Sequence, residues 1–166
     1  MVNELVKKIS SYNIFNYLFP GTTFAYLVDQ FTEHKLIQED LVVALFLYYF
    51  IGLVISRIGS LIIEPILKWS GFAPHSKYED YVAASKQDEV IAVLSEQNNM
   101  YRTIIAMTIA IGAVVCYDVI ISVCPEIAKY EAYLLLISLG LLFLFSYRKQ
   151  TAYITKRVKS GVKGND

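Results

Sequence analysis

Side chains able to do chemistry are few in this chain, and they are scattered. There are two histidines, His34 and His75, and two cysteines, Cys116 and Cys124. The cysteines are eight residues apart, which on one helix is about 12 Å and too far for a disulfide between them. Buried or interfacial thiols are the default reading, and a bridge between protomers is the lesser alternative. No glycine-rich phosphate loop, paired-cysteine zinc pattern or Ser/His/Asp set is present. The residues therefore point away from an enzyme, a metal centre or a bound cofactor.

More informative are the polar residues inside otherwise apolar stretches. Asn13 and Asn16 fall near the start of the first such stretch, Arg57 late in the second, and Asp118 late in the third. Polar groups in hydrocarbon face protein or water. A lone four-helix chain offers few places to hide Asn13, Asn16 and Asp118, so these three point to a homo-oligomer, whereas Arg57 reads as snorkelling to the headgroups. Gly52, Ser56, Gly59 and Ser60 add small residues along one helix, as close helix contacts require. They are the expected packing seam between copies, although small residues also pack helices within one subunit.

The elements that must carry these residues are apolar helices. The chain has 166 residues, of which 55% are hydrophobic and 18% charged, with a mean hydropathy of +0.45. Ordinary soluble domains carry about 25% charged residues. The net charge is zero, so bulk charge gives no nucleic-acid reading. Four stretches suit membrane spans of about 20 residues, at residues 9–28, 41–63, 103–123 and 129–147. The soluble alternative would bury four helices apolar on all faces, which a chain this small cannot do. The first stretch follows Lys7 and Lys8 as a signal peptide would. Asn13, Asn16, Tyr17 and Pro20 interrupt it, however, and no small-residue cleavage site follows. It reads as a retained helix, kinked at Pro20-Gly21.

Basic residues set the expected orientation. Thirteen of the 15 Lys and Arg lie before the first stretch, between Arg57 and Arg102, or from Arg148 onward; only Lys35 and Lys129 lie in the other two loops. By the positive-inside rule both ends and the central loop face the cytoplasm. That arrangement puts His34 and His75 on opposite sides of the membrane, where they cannot share a metal. Many of the 13 tyrosines sit near the ends of the stretches, where such rings settle at headgroup level.

Past Arg57 the second helix carries Ser60, Glu64 and Lys68 at spacings of three and four. This polar stripe reads as an amphipathic extension in preference to a pore lining, and Pro65 is expected to end or bend it. Residues 70–101 are expected to form a small cytoplasmic helical hairpin. Ser76 to Glu79 has capping-box spacing, and a second helix begins near Asp88 and runs into the third span. Glu79, Asp80, Asp88, Glu89 and Glu96 make the hairpin acidic beside a basic tail at 148–166. Lipid attraction cannot account for an acidic loop at an anionic surface, so these five residues are the expected docking site for a cytoplasmic protein.

The segments Asn16-Tyr17-Leu18-Phe19-Pro20-Gly21, Ser95-Glu96-Gln97-Asn98-Asn99-Met100-Tyr101-Arg102 and Ser146-Tyr147-Arg148-Lys149-Gln150-Thr151 resemble those of small bacterial membrane proteins found near anti-phage genes. In length and plan the chain is similar to the four-span membrane subunit of the Kiwa defence system. The resemblance carries no functional motif and transfers no functional residue. It implies a bacterial inner-membrane sensor, anchor or effector that works with a cytoplasmic partner. Two functions follow as expectations: a non-enzymatic oligomeric subunit docking a soluble protein, and, alternatively, an oligomeric channel or membrane-disrupting pore.

Overall fold

A computed structural model describes residues 13–74 and 76–162. The expected onset of the first span at Ile9, and His75, lie outside the described residues. Every described element is helical. Helix α1 opens with a π turn at Ile14–Leu18 and continues over Phe19–Phe31. Helix α2 covers Leu41–Ile58, passes through a π turn at Gly59–Ile63 and ends as Glu64–Trp69. The short α3 is Tyr78–Ala84 and the long α4 is Val90–Val123. After a 3-10 turn at Pro125–Tyr130, α5 runs Glu131–Val162. Three helices are long and apolar enough to cross a membrane: Leu41–Trp69, Val90–Val123 and Pro125–Ser160.

The two prolines inside helices explain the two π turns. A helical proline lacks its N–H and crowds the carbonyl four residues earlier. Pro20 and Pro65 each follow a five-residue π turn by two positions. A widened turn gives the ring room, and the helix continues on its far side. Of the two effects expected of Pro65, ending or bending α2, the first does not occur: the helix runs on to Trp69. It stops at Gly71, whose φ of +72° no side chain favours, with the Gly71 N–H donating to the Lys68 carbonyl.

Helices α1 and α2 cross at two glycines. A Cβ on Gly21 would overlap the Tyr48 carbonyl, and one on Gly52 would overlap the Tyr17 carbonyl. Backbone therefore lies on backbone, as small residues in membrane helices permit. Helix α4 closes this pair, and Ile55, Ile63, Ala106 and Met107 form the buried apolar core, flanked by Phe24 and Ile104. Helix α5 lies outside it, touching α2 through the Phe50 and Phe143 rings, whose centroids are 6.1 Å apart. Among the described residues, none of the most apolar stretch of α5 is buried.

Helices α4 and α5 are longer than a bilayer crossing requires. At about 1.5 Å per residue, the 34 residues of α4 reach about 51 Å, against about 30 Å of hydrocarbon. The surplus falls on the polar N-terminal stretch before Arg102, about three turns. Helix α5, with 32 residues, overshoots at its basic C-terminal end, on the same side. Between them lies α3, which packs on α5: Val82 is buried, and the Tyr78 and Tyr153 rings sit 5.8 Å apart. The expected capping box does not form. Lys77, with extended backbone, occupies the N-cap, so Ser76 falls one residue too early, and α3 has no side-chain cap. Asp88 caps the next helix, accepting from the Val90 N–H at 2.9 Å.

Candidate functional site

Two polar layers stack along α1, α2 and α4, towards the N-terminal end of α4. The deeper one is built from residues that are 2% exposed or less: Asn16, Ser56 and Thr103. Asn16 Nδ2 donates to Ser56 Oγ at 3.2 Å. Thr103 Oγ1 lies 2.9 Å from both Asn16 Oδ1 and the Asn99 carbonyl, which share its single proton. The triad ties one residue from each core helix, and it satisfies the asparagine amide on both sides. Beside it, the Arg57 guanidinium donates to Tyr17 Oη at 3.3 Å. Tyr17 is itself packed edge-on against Tyr49, with ring centroids 5.4 Å apart.

The second layer is charged and lies two turns further along α2. Glu64 accepts from three cations on three helical segments. Lys68 Nζ is 2.6 Å from Oε1, while Arg102 Nη1 and Lys149 Nζ are 2.8 and 3.1 Å from Oε2. Lys149 also donates to the Ser60 carbonyl at 2.6 Å and to Ser60 Oγ at 2.8 Å, which uses all three of its protons. This contact joins α5 to α2. The carboxylate is 12% exposed and Arg102 16%, whereas Lys68 is 40% exposed. Four charged groups converge, and with Glu64 ionised they sum to two positive charges in excess.

At the opposite end of α4, Asp118 Oδ1 meets His34 Nε2 at 2.8 Å. The pair pins the α1–α2 loop to α4 at the rim of a cleft of about 450 Å³ that Thr32, Tyr117 and Glu131 also line. Among the described residues no three His, Cys, Asp or Glu side chains converge as a metal site would require. Cys116 and Cys124 are both free thiols.

The remaining expected site residues divide sharply. All four small residues meet the chain's own helices. Gly52 lies against Tyr17, Ser56 is in the buried triad, Gly59 faces Ala106 and Arg102, and Ser60 holds Lys149. Asn16, Arg57 and Asp118 each have a partner within the chain, so none of the three needs a second copy to shelter it; Asn13 is half-buried. By contrast Glu79, Asp80, Asp88, Glu89 and Glu96 are all exposed. Asp88, Glu89 and Glu96 border an apolar ridge at the start of α4. Val90, Val93, Leu94 and Tyr101 recur at helical spacing on the part of α4 that overshoots the bilayer, and each is more than half exposed. The periodicity was visible in the sequence; its exposure was not, since the same pattern serves a buried face. Comparison with protein-family models, with curated proteins and with solved structures returned no match for this chain.

Proposed function

We propose that this chain is a non-enzymatic, oligomeric inner-membrane subunit that docks a soluble cytoplasmic protein. The observation that carries the reading is the ridge of Val90, Val93, Leu94 and Tyr101, uncovered and bordered by Asp88, Glu89 and Glu96. Lipid covers an apolar face inside a membrane, but these residues stand on the surplus length of α4, where water would meet them. Exposed apolar residues rimmed by charge are the usual mark of a protein-binding surface. The matching partner face is apolar at its centre and basic at its rim.

The rest of the reading is built on the same frame. The 13 basic residues on one side favour four spans with both ends in the cytoplasm, α1 being the span added to the three long helices. Assembly with further copies uses α5, whose apolar face lacks cover within the chain and whose Gly140 has open space around it. The similarity in plan to the Kiwa membrane subunit makes anti-phage sensing or anchoring the proposed setting. A channel has less in its favour, because Asn16, Arg57 and Asp118, which would line one, are partnered inside a single chain.

Charge reversal tests the docking surface. Asp88→Lys with Glu89→Lys should abolish phage resistance in cells carrying the whole locus, while membrane insertion and mass in mild detergent stay unchanged. Full resistance in that double variant, with loss in a Lys156→Glu, Arg157→Glu variant, would move the docking site from α4 to the tail.

A further inference from the structure

From the charged layer around Glu64 we infer a second site, which binds the phosphate of an anionic phospholipid headgroup. The inference rests on the membrane-crossing helices and not on partner docking. Its first support is charge. Lys68, Arg102 and Lys149 share one carboxylate at 2.6 to 3.1 Å, and the two charges left over sit among half-buried groups. Uncompensated charge of one sign is costly where water is scarce, and a counter-ion relieves it.

The second support is the count of donors. Lys149 is saturated by Ser60 and Glu64, so it acts as a fixed post. Lys68 spends one proton on Glu64 and has two left. Arg102 Nη1 donates to Glu64, yet its Nε is buried and has no acceptor among the described residues. A buried orphan donor costs about 1–3 kcal/mol. Guanidinium is the group that best matches the paired oxygens of a phosphate.

Depth supplies the third support and selects the source of the phosphate. Arg102 to Val123 spans 22 residues, about 32 Å of helix, so the cluster lies one hydrocarbon thickness from the far end of α4. Around it Trp69 and Tyr147 are 89% and 73% exposed, as aromatic rings are at the headgroup level. A lipid phosphate is held at that height by its own acyl chains, while a soluble phosphate has to be recruited from dilute solution. Glu64 then acts as the competitor: it keeps the three cations together and occupies the place an anion would take.

The test uses the full chain in nanodiscs of phosphatidylcholine, with and without phosphatidylglycerol, and counts retained lipids by native mass spectrometry alongside the melting temperature. The wild type should retain phosphatidylglycerol preferentially and melt higher with it. Lys68→Gln should weaken that preference about fivefold, the worth of one basic residue at a membrane surface. Glu64→Gln should strengthen it, since the cations lose their internal competitor; a layer serving only as a salt bridge would lose stability with no gain in lipid retention. An equal loss from Lys156→Gln would show a diffuse surface effect and overturn the site. Equal protection by inorganic phosphate in zwitterionic nanodiscs would overturn the lipid assignment.

Discussion

At the scale of single residues, the polar groups inside the apolar stretches prove to be connectors between helices. Asn16 reaches Ser56 and Thr103, which lie 40 and 87 residues away. Hydropathy marked Asn16 as unusual in the sequence, but nothing in a linear pattern shows two hydroxyls arriving from other helices. From the sequence alone, its polarity points as readily to neighbouring copies. Arg57 and Asp118 likewise meet Tyr17 and His34, partners remote in sequence that no linear pattern announces. Glu64 and Lys68 were legible as a helical pair; Arg102 and Lys149, which complete their cluster, were not. If the triad holds the core helices together, Asn16→Ala should destabilise the protein by about 1 kcal/mol, the upper range of hydrogen bonds measured inside membranes. Thr103→Val should cost a similar amount, and the double variant less than the sum because both act on one network. Unfolding titrations in mixed micelles would measure all three.

Among the helices, what could be read depended on whether the signal was local. Apolar length, the onset near Asp88 and the unbroken run into the third span follow from composition over consecutive residues, and α4 has that form. Prolines were legible as disturbances. The π turns that absorb them were not, because they depend on how the neighbouring helix receives the widened backbone. The glycines make the same point. Gly52 and Gly140 look alike in sequence, yet one lies on the Tyr17 backbone and the other faces open space. Gly52→Ala should therefore destabilise the α1–α2 crossing by about 1–3 kcal/mol or more, as overpacking against backbone does. Gly140→Leu should leave the fold intact and reduce the mass seen by light scattering in detergent. The reverse result, with Gly52 controlling mass alone, would return the seam to α2.

The whole molecule is a helical bundle in which α4 and α5 are longer than a bilayer crossing requires. The native thiols report on its orientation. Cys124, at the end of α4 away from Arg102, is exposed, so a membrane-impermeant maleimide should label it from outside the cell. Cys116, about 12 Å deeper along the same helix, should react far more slowly, since lipid keeps a polar reagent from reaching it. Labelling of Cys124 only after the membrane is opened would invert the topology.

The central claim is that the surplus length of α4 holds a soluble protein, and photo-crosslinking in living cells tests it most directly. A photoreactive residue placed at Leu94 should yield one discrete adduct with a cytoplasmic protein identified by mass spectrometry. That adduct should vanish when Asp88 and Glu89 are both changed to Lys, and a probe at Leu136 on α5 should not give it. Adducts from Leu94 to lipid or to a second copy of the chain alone, or an adduct indifferent to the charge reversal, would contradict the claim.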